Sequence, residues 1–174
     1  MSESVAKHRE SAPDKVRVAV LTVSDTRTPE TDTGGDAVQG ALEGAGHAVV
    51  DRTIVGDDAA RIRTALVNAL ARADVDAVVT SGGTGISARD TTYEVVDRMI
   101  EKRLDGFGEI FRMLSYEEIG AAAIMSRAVA GTVGTKLVAS LPGSRNAVRL
   151  AMEKLLVPEI AHVVFELRKH QESR

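Results

Sequence analysis

Three short apolar runs, each leading into a stretch whose apolar residues recur at helical spacing, restrict the folds open to this chain more than any other feature. The first, Val16 to Val23, is rich in β-branched residues and stops at Ser24-Asp25, the pattern of a buried parallel strand. After a polar loop, Ala37, Val38, Ala41, Leu42 and Ala45 mark one face of an amphipathic helix, with Gly44 and Gly46 as stop signals. The pattern returns in His47 to Val55, followed by a helix that begins near Asp57-Asp58 and carries Ile62, Ala65, Leu66, Ala69 and Leu70. Ala77 to Thr80 is the third strand, and Val95, Val96, Met99 and Ile100 mark the next helix. Strands alternating with helices predict an α/β fold of three layers, its mainly parallel sheet covered on both faces.

Further along, Gly106 to Leu114 reads as a turn and a short helix, and Ile119 to Val133 as apolar and small-residue-rich with one charge, Arg127. Lys136 to Leu141 is a strand candidate, and Pro142-Gly143-Ser144 precedes a helix bearing Val148, Ala151 and Leu155. Pro158 is expected to separate that helix from a last one ending near Lys169. Residues 1–15 are polar and expected to be disordered, 16–169 form a single domain, and 170–174 are a tail. At 174 residues the domain buries roughly 70% of the surface its unfolded chain would expose.

Composition excludes several functions. With no cysteine there is no thiol catalysis, Cys-type zinc site or iron–sulfur ligation, and no sign of an oxidising compartment. Apolar runs stay well below the roughly 18 residues that span a bilayer, and the N-terminus has no apolar core of signal-peptide length, so no membrane is expected and a cytoplasmic location is. Lys plus Arg total 22 against 25 Asp plus Glu, scattered along the chain, which argues against nucleic acid. Aromatics are 3% of residues, so a bound base or pterin would rest mostly on backbone and polar groups.

In open α/β sheets ligands bind beyond the carboxyl ends of the strands. Four segments converge there in this reading: Ser24-Asp25-Thr26, Gly56-Asp57-Asp58, Ser81 to Asp90, and Leu141 to Asn146. In Ser81-Gly82-Gly83-Thr84-Gly85 the glycines remove the Cβ barrier, so successive N–H groups can cradle an anion; an ordinary tight turn is the alternative. It is neither a Walker loop nor a dinucleotide fingerprint. Asp90, next to Arg89, either ligates Mg²⁺ bridging substrate phosphates or caps a helix. A capping box of Thr91 with Glu94 would leave it free. One of Asp57 and Asp58 caps the second helix, and the other is available as a second metal ligand or a sugar contact. His8, His47, His162 and His170 fall outside these loops, and no Ser/His/Asp arrangement is apparent.

Taken in order, Thr22-Val-Ser-Asp-Thr26 with Asp32-Thr-Gly34, Gly56-Asp57, Thr80-Ser-Gly-Gly-Thr-Gly85, Arg89-Asp90, Gly106-Phe-Gly-Glu109 and Leu141-Pro-Gly-Ser144 resemble the MoaB/Mog family of molybdenum cofactor biosynthesis proteins. The stretches Gly106 to Gly120 and Ser126 to Gly131 resemble its MoaB branch more than its MogA branch. The resemblance implies a molybdopterin-binding αβα fold, a homo-trimer or hexamer, and binding of molybdopterin and a nucleotide. In active members it implies Mg-ATP-dependent adenylylation of molybdopterin with release of pyrophosphate; a non-catalytic binding protein of the same pathway is the alternative. The family's two functional aspartates fall on Asp57 and Asp90, which would also hold Mg²⁺. Its pterin- and phosphate-binding positions fall on Ser81, Gly82, Gly83, Thr84 and Gly85, with Ser24, Asp25, Thr26, Arg89, Ser140, Pro142, Gly143 and Ser144 as further contacts. Tyr93, where the family commonly has Pro, and Ala139-Ser140, where it often has Asn, are departures.

Overall fold

The computed structural model describes residues 13–169; the expected tail 170–174 and most of the 1–15 lead-in lie outside the described residues. The three apolar runs form β1 (Arg17–Val23), β2 (Ala48–Val55) and β3 (Ala77–Ser81), joined by helices α1 (Thr33–Gly44) and α2 (Ala59–Ala71). His47 stays outside β2, its Nδ1 accepting the Val16 amide at 3.3 Å. Burial lowers the pKa of that ring, which favours the neutral acceptor.

After β3 come α3 (Thr92–Met99), the short β4 (Lys102–Arg103) and α4 (Asp105–Ile119). A 3₁₀ turn (Gly120–Met125) then leads into β5 (Val129–Val133), β6 (Lys136–Leu141), α5 (Arg145–Ala151) and α6 (Val157–Arg168). The six strands form one sheet in the order β2-β1-β3-β6-β5-β4. The neighbours β2, β1, β3 and β6 run parallel, while β5 and β4 are antiparallel additions at one edge.

Three features depart from the sequence reading. The region expected to hold only a turn and a short helix is a helix of 15 residues, α4. Gly108 serves close packing within it, since a Cβ there would sit 2.9 Å from the Ala128 carbonyl. The small-residue stretch contains β5, which pairs with β6 through a hairpin whose Gly134 takes φ +57. Pro158 does not separate two helices. A π-helical turn, Met152–Leu156, joins α5 to α6 just before it, and its wider backbone accommodates the missing N–H and the ring where an α-turn would clash.

Both faces of the sheet are covered. Val18, Val20, Val79, Leu137 and Leu141 pack with Val38 and Leu42 of α1, Phe111 of α4, Val148 of α5 and Ile160 of α6. Leu21, Val23, Val78 and Val138 pack on the other face with Ile62 and Leu66 of α2 and Val95 and Val96 of α3. Since α1, which follows β1, and α3, which follows β3, lie on opposite faces, the chain leaves β1 and β3 in different directions, and a crevice opens between their carboxyl ends. At the opposite end of the sheet Asp76 is buried and bonded by Arg17 and Arg168, which ties α6 to β1. The exposed Lys102 and Arg103 of β4 blunt one sheet edge against further pairing.

Candidate functional site

The loops after β1, β2, β3 and β6 meet at that crevice and are held together by hydrogen bonds. The Ser24 amide donates to the Val55 carbonyl at 2.9 Å, and the Asp57 amide to Asp25 Oδ1 at 3.1 Å. The Gly82 amide donates to the Leu141 carbonyl at 3.1 Å. Ser24 Oγ accepts the Thr26 and Arg27 amides, each at 3.2 Å, which closes the turn carrying Asp25. The exposed Arg89 pairs with Asp25, so the segment after β3 also reaches back to the one after β1.

The glycine loop is bare backbone of necessity. Gly82 has φ +100, and a Cβ on it would lie 2.3 Å from the Val23 carbonyl oxygen. Gly83 has φ +62, and its Cβ would lie 2.1 Å from Thr92 Oγ1 and 3.1 Å from Asp57 Oδ1. At Gly85 a Cβ would meet Asp90 Oδ2 at 2.7 Å. Each glycine thus yields its space to another segment of the crevice. From the facing side, the first turn of α1 approaches closely enough that a Cβ on Gly34 would be 3.0 Å from Ser81 Oγ and 3.6 Å from the Gly143 carbonyl. That turn is held by Asp32, which accepts from Gly35 N at 2.9 Å, Thr22 Oγ1 at 2.8 Å and Arg52 Nη2 at 2.9 Å. Burial alone would push the Asp32 carboxyl up, but these donors hold it below its ordinary range.

The two expected aspartates occupy different environments. Asp58 is the α2 cap, its side chain accepting the Arg61 amide at 2.9 Å. This leaves Asp57 turned into the crevice, where its Oδ1 is buried with no hydrogen-bond partner. Burial raises the Asp57 pKa and the charges of Asp90 and Asp25 add to the effect, while the Thr91 amide and Arg89 offset part of it. Asp90 is kept below the ordinary carboxylate range, chiefly by Ser87, whose Oγ and amide donate to its Oδ2 at 2.5 and 3.0 Å. The expected capping box is absent. Thr91 precedes α3 without a side-chain cap bond, and the Glu94 carboxylate, which would have reached back to the Thr91 amide, is drawn instead to Arg127.

The remaining positions divide. Gly143 is exposed beside the loop, and a Cβ on it would be 3.1 Å from the Gly82 Cα. Ser144 caps α5 through the Ala147 amide at 3.3 Å, and Pro142 is half-buried ahead of it. Ser81 and Thr84 are buried supports of the loop. Ser140 is not brought to the crevice surface: it is fully buried in β6 opposite Thr80, in register with the β3 core. Thr92 and Arg127 went unread in the sequence. Arg127, the one charge in a small-residue run, offered a signal; Thr92, which donates its amide to the Gly83 carbonyl at 2.9 Å, offered none.

Among the described residues no group of three or more His, Cys, Asp or Glu is placed to hold a metal ion, and no helix is long and apolar enough to cross a membrane. The unpartnered Oδ1 of Asp57 and the ionised Asp90 form a small carboxylate ligand set beside the glycine loop. It fits Mg²⁺, which takes one or two carboxylates and draws its other ligands from phosphate and water.

Residues 19–162 match the protein family described as "Probable molybdopterin binding domain". The chain is 52% identical over 167 residues to molybdenum cofactor biosynthesis protein B of Bacillus subtilis strain 168, covering 95% of this chain and 98% of that one. Among solved structures it is similar to a crystal structure of molybdenum cofactor biosynthesis protein B, with 50% identity and a TM-score of 0.88 over 91% of this chain and 99% of the other. It also resembles the tungsten cofactor synthesizing protein MoaB from Pyrococcus furiosus, with 38% identity and a TM-score of 0.81 over 90% and 99% of the two chains.

Proposed function

The chain belongs to the molybdopterin-binding family of molybdenum cofactor biosynthesis proteins, and from that premise we propose that it adenylylates molybdopterin with Mg-ATP, releasing pyrophosphate. An oxygen of the pterin's terminal phosphate attacks the α-phosphorus of ATP. A new P–O bond forms there as the bond to the β-phosphate breaks, and pyrophosphate carries away the electron pair. A phosphate monoester has a second pKa near ~6, so the nucleophile is already largely ionised at neutral pH. A site with no cysteine and no Ser/His/Asp arrangement is sufficient for such a reaction.

Positioning and charge stabilisation are then what the protein supplies. The Gly82 amide is taken by the Leu141 carbonyl, so phosphate oxygens would approach the loop backbone at Gly83 and Gly85, and the first turn of α1 adds the positive end of a helix dipole beside Ser81 and Gly143. Asp57 and Asp90 would hold Mg²⁺, which when bound neutralises charge on the polyphosphate. The observation that carries the proposal is the convergence of this glycine loop with one unpartnered buried carboxylate oxygen and one ionised carboxylate, at the switch point of the sheet. Asp90→Asn is expected to abolish pyrophosphate release from Mg-ATP and molybdopterin while the Tm stays within a few degrees of wild type; unchanged turnover would refute the assignment.

Assembly as a homo-trimer or hexamer belongs to the same proposal. A row of large apolar side chains on α4 and the following turn, Met113, Tyr116, Ile119, Ile124 and Met125, is more than half exposed in the single chain and supports it. A monomeric mass in light scattering would contradict assembly.

A further inference from the structure

Arg127 is the one charged residue between Ile119 and Val133, and the reaction proposed above leaves it without a task. It stands between the 3₁₀ turn and β5, and its guanidinium makes three contacts. Nη1 donates to the Gly85 carbonyl at 2.9 Å, Nη2 pairs with Glu94, and the group lies 4.3 Å above the centre of the Tyr93 ring. Tyr93 and Glu94 belong to the first turn of α3, so one side chain joins the far end of the glycine loop to that helix. Nearer β3 the loop is secured by other bonds, from the Gly82 amide to Leu141 and from the Thr92 amide to Gly83. Past Gly85 the residues Ile86 to Arg89 are exposed, Ser87 bonds only within the stretch to Asp90, and the exposed Arg89 reaches across to Asp25, which leaves the Gly85 carbonyl as the contact that ties this stretch to α3 and the 3₁₀ turn.

We propose that Arg127 is a positioning residue: by fixing the Gly85 peptide against α3 it orders the stretch from Gly83 to Asp90 before any nucleotide arrives. The peptide is planar and trans, so holding the Gly85 carbonyl on the Arg127 side turns the Ile86 N–H to the other side. The fork of the guanidinium suits this work. It donates along two directions and keeps a flat face for the ring, whereas a lysine ammonium in the same place can reach one acceptor well and cannot stack. Tyr93 thereby acquires a role as the platform under Arg127. The kinetic part of this inference rests on the adenylyl-transfer proposal; the ordering of the loop does not.

The test uses the full chain and compares wild type with Arg127→Gln, Arg127→Lys, Glu94→Gln and Tyr93→Phe. Amide hydrogen exchange is followed across residues 83–90, with β1 and β3 as internal reference, and Mg-ATP binding is measured by calorimetry. A charge-assisted bond of this kind, part-exposed, is worth about a tenfold change in an equilibrium. Arg127→Gln is therefore expected to speed exchange in 83–90 about tenfold while β1 and β3 keep their protection, and to weaken Mg-ATP binding about tenfold. Arg127→Lys and Glu94→Gln should fall between, and Tyr93→Phe, which keeps the ring, should match wild type. If Arg127→Gln does not fold, Glu94→Gln carries the test with the same signature at smaller amplitude. Wild-type protection of 83–90 in these variants would overturn the inference, as would loosening spread equally over β1 and β3. Failure of wild-type protein to form adenylylated product would defeat the proposed reaction while leaving the exchange result to decide the role of Arg127.

Discussion

Replacing Gly82 by Ala probes the point of the crevice where a side chain would run into fixed backbone. The added Cβ would sit 2.3 Å from the Val23 carbonyl oxygen and 3.3 Å from its carbon, atoms of the β1 backbone that no rotamer change can move aside. The residue also holds φ +100, a region closed to L side chains at roughly 1–2 kcal/mol. Forcing a methyl group against packed backbone adds roughly 1–3 kcal/mol. Taken together the loss is about 3 kcal/mol, and at about 2–4 °C per kcal/mol for a domain of this size the Tm falls by about 10 °C. Relief is available only by moving the loop off β1, which stretches the Gly82–Leu141 bond and misplaces the amides. A displacement of about 1 Å costs turnover on the order of 100-fold. Thermal unfolding by circular dichroism and pyrophosphate release measure the two effects. Gly40→Ala is the control: nothing lies within 4 Å of its Cβ position in α1, and it should raise stability by about 0.5–1 kcal/mol. Gly82→Ala with wild-type Tm and wild-type turnover would refute the reasoning.

Asp57 is raised above its unfolded value, so it favours folding only below the unfolded carboxylate pKa of about 4 and opposes folding as pH rises through its folded value. Asp57→Asn should therefore raise the Tm at pH 7, leave it nearly unchanged near about pH 3.5, and abolish adenylylation; a lower Tm at pH 7 would contradict the account. Asp58→Ala removes the α2 cap and should cost about 1 kcal/mol, a drop of about 3 °C in calorimetry, with turnover near wild type. At Asp76 the sign is opposite. Burial would raise its carboxyl, but Arg17 and Arg168 outweigh that and lower it, so its stabilisation is present above about pH 4 and is lost as pH falls through the folded value. Asp76→Asn should cost about 2 kcal/mol at pH 7, less than a fully buried pair because both arginines are part-exposed, and should flatten the acid limb of a Tm–pH curve.

How much of this was legible in the sequence depended on how local each determinant is. The strands β1 to β3 announce themselves through short β-branched runs, and the place of the glycine loop follows from strand order and composition. The choice between Asp57 and Asp58 could not be read, because either carboxylate can satisfy a helix N-terminus; the structure gives the cap to Asp58 through the Arg61 amide. The strand β5 was hidden because Val129–Val133 contains Ala130 and Gly131, and only pairing with β6 and β4 makes it a strand. Gly131 itself is demanded by that packing, since a Cβ there would be 2.5 Å from the Lys102 carbonyl. The glutamate half of the Thr91–Glu94 capping box failed for a related reason: Glu94 is claimed by Arg127, 33 residues away.

On the proposed function the crevice transforms molybdopterin and does not merely hold it. Purified chain incubated with molybdopterin, ATP and Mg²⁺ tests this directly, with adenylylated pterin followed by mass spectrometry and pyrophosphate by a coupled assay. Equal amounts of both products are expected, dependent on Mg²⁺ and absent with Asp90→Asn. Molybdopterin bound at the crevice with neither product formed would contradict it.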